Sequence, residues 1–144
     1  MNKDDIPFVT KSILMSYRAG CRHIRAINKD SYLRGHNQLI LKLLSHESTE
    51  TMILADDKDE SLILGFISYS KIGKANVLNY LYVRNDFRDS GIASVLLKEW
   101  REKQILDPSC LVMSHLTDNI KPARFKKLGF EKVYYDPYII EALW

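Results

Sequence analysis

Leu78-Asn79-Tyr80-Leu81-Tyr82-Val83-Arg84-Asn85-Asp86-Phe87-Arg88-Asp89-Ser90-Gly91-Ile92-Ala93 is the stretch whose reading decides the fold. Residues 75–83 read as an apolar strand, and 84–90 as a tight polar loop. From Gly91 to about Ile105 an amphipathic helix follows, with Ile92, Val95, Leu96 and Trp100 as its apolar face. Asp107-Pro108 ends it. The first N–H groups of a helix lack intrahelical partners and sit at the positive end of its dipole, so such a turn attracts anions. Gly91 lets a ligand approach the backbone, Ala93 keeps the turn uncluttered, and Arg88 adds charge. Ser90 offers a hydroxyl to a ligand or to the helix end. The loop lacks the Gly-Lys-Ser/Thr ending of a Walker loop and the Gly-x-Gly-x-x-Gly run of a dinucleotide site.

Upstream, Thr51–Ala55 and Ser61–Ser70 read as strands separated by the polar turn at 56–60, with Gly65 as a candidate bulge. With 75–83 they predict a three-stranded antiparallel meander. The first 48 residues read as helical. Thr10 is the expected cap of a helix presenting Ile13, Leu14 and Tyr17. A second helix is expected from Asp30 or Ser31 to Leu44, with Leu33, Ile40, Leu41 and Leu44 near helical spacing and a weak point at Gly35. Downstream come a strand at Cys110–His115, a helix from Pro122 to Leu128 closed by Gly129, and a strand at Phe130–Tyr135. The expected class is α/β in the α+β sense: a mixed, largely antiparallel central sheet flanked by helices. One domain is expected over 1–144, with 1–48 as a helical segment, 51–106 as meander, loop and helix, and 109–144 as the last half.

The 144 residues are 46% hydrophobic and 27% charged, which excludes disordered, collagenous and coiled-coil classes. The formal charge of +3 is too small to argue for a nucleic-acid partner. Its distribution says more: cations gather at 18–34 and 121–132, and acids crowd 56–60. Arg18, Arg22, His23, Arg25 and Lys29 read as a solvated face or as a patch for an acidic or nucleic-acid partner. Cys21 and Cys110 make no disulfide framework and read as buried thiols. His23, His36 and His46 are too scattered for a metal site. No apolar run approaches the ~20 residues that span a bilayer. A cytoplasmic protein without membrane or metal is expected, as a monomer or homodimer.

The loop and its surroundings resemble the GNAT superfamily of N-acetyltransferases. Leu81-Tyr82-Val83 matches that family's Leu-x-Val strand, and Arg88 to Ala93 its Arg/Gln-x-x-Gly-x-Gly/Ala loop. Asn119, then a short helix through Ala123, then Gly129-Phe130 is similar to its second element. The resemblance covers about 51 to 135, and Ser16-Tyr17-Arg18 with Gly35-His36 is similar to small GNAT-like proteins of phages. It implies acetyl-CoA as co-substrate, with Arg88, Asp89, Ser90, Gly91, Ile92 and Ala93 around the pyrophosphate. Leu81, Tyr82 and Val83 would follow the pantetheine arm, with Asn119 and Phe125 completing the cofactor site. The thioester would lie in a gap between this strand and Cys110–His115.

The chain departs from the family at the acid and the base. Phe125 stands where many members carry the Tyr that protonates the departing thiolate. No carboxylate occurs between Lys71 and Asn85, where the base is often found. Substitutes are Asn79 holding a water, Tyr82 with Tyr80 on one strand face, and His115, whose imidazole titrates near neutrality. Tyr134, Tyr135 and Tyr138 read as packing or as acceptor-site lining. Lys121, Arg124, Lys126, Lys127 and Lys132 read as a solvated face or as attraction for the cofactor's phosphates. Two functions stay open: transfer of an acetyl group to an amine of a protein, small molecule or nucleic acid, and a cofactor-binding regulatory module with weak or no turnover.

Overall fold

The computed structural model describes residues 1–104, 111–113, 123, 127 and 132–133. Helix α1 spans Ile6–Gly20, a single turn α2 spans Arg22–Arg25, and α3 spans Lys29–Ser45. Strands β1 (Thr49–Ala55), β2 (Ile63–Ile72) and β3 (Ala75–Val83) follow, then α4 (Ile92–Gln104), β4 (Leu111–Met113) and β5 (Lys132–Val133). The strand order is β1-β2-β3-β4-β5. The first three strands form the antiparallel meander, while β4 runs parallel to β3 and β5 parallel to β4.

Each connection has a local cause. Ile72 pairs with Ala75, leaving a two-residue hairpin loop whose Gly73 has φ +59°, the left-handed geometry such loops require. The acidic run at 56–60 is a self-bonded turn: Asp56 Oδ1 accepts from Lys58 N and Asp59 N, and Asp59 Oδ1 from Ser61 N. The start of α3 is capped by Asn28, whose Oδ1 accepts from Asp30 N and Ser31 N. The helix therefore starts at Lys29, one or two residues before the expected start at Asp30 or Ser31. Thr10 does not cap α1. The helix begins four residues earlier, with a Pro in its first turn, and Thr10 is buried inside it. The 18–29 stretch is less free than its charge suggests. Arg18 donates to the carbonyls of Ile24 and Ile27 at 3.4 and 3.1 Å, and its guanidinium lies 6.0 Å from the centre of the Tyr32 ring. Tyr32 in turn donates to Leu14 O at 2.8 Å. Arg18 therefore fastens the α2 corner to α1 and α3.

Helices cover both faces of the sheet. On one face α4 buries Leu96, Leu97 and Trp100 against Ile67, Tyr69 and Leu78. Each such side chain stabilises by roughly 1.5–3 kcal/mol when fully buried. Val95, expected on this face, is 46% exposed and Leu97 takes the inward place. On the other face α1 and α3 bring Val9, Ile13 and Leu44 to Phe66, with Ile53, Tyr80 and Tyr82 alongside. Ile13, Leu14 and Tyr17 of α1 are buried as expected.

β3 serves both faces because its period breaks once. Ser68 pairs with Tyr80 but Tyr69 pairs with Leu78, so Asn79 is an extra residue in the strand. Leu78 and Leu81 pack beside α4, whereas Tyr80 and Tyr82 lie with α1 and α3. Asn79 is 2% exposed, and its Nδ2 donates to Ser70 Oγ at 2.6 Å. Ser70 Oγ also bonds Thr49 Oγ1 at 2.8 Å, so the bulge is tied through β2 to β1.

Candidate active site

The site is built where β3 leaves the sheet. Arg84 N donates to Leu64 O at 2.9 Å, the last tie of this segment to β2. Backbone groups alternate sides along a strand, so Leu81 and Val83 turn their N–H and C=O away from β2. β4 pairs with β3 at Asn76, Val77 and Leu78, where the described ladder ends. Five further residues of β3 lie beyond that point.

The loop then turns through a 3₁₀ segment, Asn85–Phe87. Asp89 adopts φ +62° and Gly91 φ +83°, flanking Ser90 with two left-handed residues. Asp tolerates this region better than most side chains, and Gly has no Cβ to oppose it. Such turns point successive N–H groups toward a common concavity that suits an anion. Ser90 Oγ donates to Phe87 O, so the hydroxyl braces the loop. Val95 N donates to Gly91 O at 3.1 Å, which makes Gly91 the N-cap and leaves the amides of Ile92, Ala93 and Ser94 ahead of the first helical bond. A Cβ placed on Gly91 would meet nothing within 4 Å, so the space above the turn is open. Arg88 is exposed beside it, its Nε donating to Val83 O at 3.4 Å.

Gly65 sets the height of this loop. A Cβ there would lie 2.6 Å from Tyr82 O, 3.1 Å from Ile92 Cγ2 and 3.3 Å from Leu96 Cδ1. The expected bulge at Gly65 is displaced: the register slips between Leu54 and Ala55, which makes Leu64 the extra residue. Gly65 itself is needed because β3 and α4 come close to β2 there. Nothing local in the sequence distinguishes the two reasons for a strand glycine.

On the opposite face of β3, Tyr82 stacks on Phe66 at 5.1 Å and meets Phe8 edge-on at 6.0 Å. Tyr80 also stacks on Phe66, at 6.2 Å. Burial pushes the Tyr80 hydroxyl up to about 12, against the opposing pull of its hydrogen bond with Ser16; the nearby Cys21 and Tyr82 push the same way as burial and Arg88 pulls it down. A phenol that resists ionisation is a poor base and a reluctant proton donor, so Tyr80 is suited to positioning.

Leu81, Tyr82, Val83, Arg88, Asp89, Ser90, Gly91, Ile92 and Ala93 are thus brought into one strand, loop and helix start. Asn79 lies on the same strand with its amide engaged by Ser70. His115, Asn119 and Phe125 lie outside the described residues, as do Cys110, Lys121, Arg124, Lys126, Tyr134, Tyr135 and Tyr138. Among the described residues no group of His, Cys, Asp and Glu could hold a metal ion, and no helix is long and apolar enough to cross a membrane.

Residues 48–132 match the family model of the acetyltransferase (GNAT) domain. The chain belongs to the GNAT acetyltransferase family. It is a GNAT-type N-acetyltransferase, and its residues Arg88 to Ala93 lie between β3 and the first turn of α4. This GNAT chain also shares its fold with solved structures. One, from Pyrococcus furiosus and assigned as an acetyl transferase, superposes with a TM-score of 0.71 at 19% identity, over 90% of this chain and 89% of its own. The ribosomal-protein-alanine N-acetyltransferase from Brucella melitensis biovar Abortus 2308 gives 0.51 at 19% identity, over 89% and 83%. Tetrahymena GCN5 gives 0.51 at 14% identity, over 84% and 68%. At these identities the likeness concerns the fold. No curated protein matches the chain.

Proposed function

We propose that this acetyltransferase binds acetyl-CoA along β3 and the 84–91 loop and passes the acetyl group directly to an amine. The observation that carries the reading is the pair of left-handed residues, Asp89 and Gly91, opening α4 under empty space immediately after β3. Acetyl-CoA supplies an activated thioester. Amides of the α4 turn and the Arg88 guanidinium suit its pyrophosphate. The outward N–H and C=O groups of Leu81 and Val83 suit the amides of its pantetheine arm, in the manner of an added strand.

In the transfer, the neutral amine attacks the thioester carbonyl. A C–N bond forms, the C–S bond breaks, and coenzyme A leaves as thiolate. The proton shed by the amine passes to water. A thiol with pKa near 8.5, by analogy with Cys, leaves tolerably without an acid. General acid–base help is typically worth about 10²–10⁴-fold, so its loss slows the reaction without forbidding it. Positioning by β3 supplies the remainder. Tyr82 lines the acceptor side of the strand, and Asn79 holds the bulge that turns it there. His115, Asn119 and Phe125 keep the roles the family resemblance gives them, as proposals only.

Two measurements test the reading together. Calorimetric titration with acetyl-CoA reports binding, and thiol release against a panel of amines, peptides and RNAs reports turnover. Absence of binding sinks the proposal. Binding without turnover for every acceptor favours the regulatory-module reading, which the absent carboxylate between Lys71 and Asn85 motivates.

A further inference from the structure

A groove separates α1 from α3, and none of its lining residues belongs to the 81–93 segment. Its main cavity has a volume of about 810 Å³, and a second of about 410 Å³ continues it, sharing Ile6, Gln38 and Leu41. The two reach from Lys29 to Ser45 along α3, about 24 Å at the helical rise per residue. Leu14, Leu33 and Leu41 line it, and Met15, 38% exposed, stands at its edge. Lys11, Lys29, Arg34 and Lys42 also line it, and no Asp or Glu does. All four cations are exposed. The described ion pairs lie elsewhere, at Arg84–Asp86 and Lys98–Glu102.

We propose that this groove receives an acidic amphipathic helix from a partner protein. Two antiparallel helices with an apolar trough between them are completed by a third helix laid in the trough. About 24 Å accommodates roughly 16 helical residues, or four turns. Apolar residues at i, i+3 or i+4, and i+7 would enter between the leucines. Carboxylates on the flanks would meet four cations, which favours capture and fixes orientation. The trough carries no aromatic lining, so it offers no stacking platform for bases. The basic 18–34 stretch thereby divides in two. Arg18 is consumed by the fold, whereas Lys29 and Arg34 face the groove. This inference stands apart from the acetyl-transfer reading and survives its failure.

The test uses the full chain and a synthetic 16-residue helical peptide with Leu at the inward positions and Glu elsewhere. Binding is followed by fluorescence anisotropy and mapped by amide chemical shifts. Saturable binding, shifts confined to α1 and α3, and weakening by added salt are expected. The double variant Lys29→Glu/Arg34→Glu should weaken binding at least tenfold while keeping the wild-type circular dichroism spectrum. Lys42→Glu alone should weaken it less. Equal binding of a peptide with Lys in place of Glu, or of a Glu peptide without Leu, overturns the proposal. So does an unchanged affinity in the double variant. Stronger occupancy of the same residues by tRNA or by phosphatidylserine vesicles would overturn it in favour of those ligands. A concentration-dependent dimer that buries the groove and dissociates in the double variant would assign it to a second copy instead.

Discussion

Replacing Gly65 with Ala would drive a methyl group into the Tyr82 carbonyl at 2.6 Å, with Ile92 and Leu96 side chains at 3.1 and 3.3 Å behind it. Ordinary contact begins near 3.4 Å, so β3 must retreat by about 0.8 Å or α4 must lift. The obstacle is backbone, which cannot swing aside as a flexible side chain can. Overpacking of this kind costs about 1–3 kcal/mol. For a chain of this length the unfolding entropy is about 0.3 kcal/mol per degree, so Tm should fall by roughly 3–10 °C. The displacement also falls on Tyr82 and Val83, so acetyl-CoA affinity should drop with it. Gly91→Ala is the informative control. Its φ of +83° penalises any side chain by about 1–2 kcal/mol, yet nothing stands within 4 Å. Thermal melts and calorimetric titrations of both variants separate crowding from conformation. A Gly65→Ala protein melting within about 1 °C of wild type with unchanged acetyl-CoA affinity would refute the close approach.

Three other outcomes are expected. Arg88→Glu should leave Tm nearly unchanged but weaken acetyl-CoA binding by roughly 10–100-fold, since a charge-assisted contact is worth ~1.5–3 kcal/mol and is here replaced by repulsion; titration calorimetry reads it. Arg18→Ala should cost ~1–2 kcal/mol and speed amide hydrogen exchange selectively across 21–28, because two carbonyls and the Tyr32 face lose their partner. For Tyr80 the sign follows from its raised value: between about 10 and 12 the unfolded chain releases this proton and the folded chain keeps it, so stability falls as pH rises through that window. The loss approaches ~3 kcal/mol, and the denaturant midpoint of wild type should fall relative to that of Tyr80→Phe as pH rises from 10 to 12.

What the sequence made legible was what it encodes locally. The meander follows from alternating runs and polar turns. The turn that opens α4 follows from Gly91 and Ala93 at the junction of a strand pattern and a helix pattern. Signals of tertiary origin were not readable in the same way. Thr10 is a good capping residue by type, but its inward position on α1 decided otherwise. Val95 and Leu97 flank the Leu96–Trp100 stripe on opposite sides, and packing against the sheet buries Leu97 while leaving Val95 exposed. Arg18 reads as a surface charge until α2 brings two carbonyls within its reach. Asn79 has only one local hint of its role, a polar residue inside an apolar strand, and the slipped register behind it depends on β2.

The extra residue at Asn79 gives β3 a reading frame. In an unbroken strand every second side chain shares a face, so Leu78, Tyr80 and Tyr82 would point together. With the bulge, the strand changes parity midway: its first half is in phase with α4, while its second half turns the tyrosines toward α1 and α3. Substitutions at 80 and 82 are therefore changes to the α1 and α3 side alone. Loss of Asn79 itself would straighten the strand and keep this division, because Leu78, Tyr80, Leu81 and Tyr82 would then pair one-to-one with Tyr69, Ser68, Ile67 and Phe66. β3 thus carries one residue more than its pairing with β2 uses, and the surplus residue is held in place by one amide and one hydroxyl.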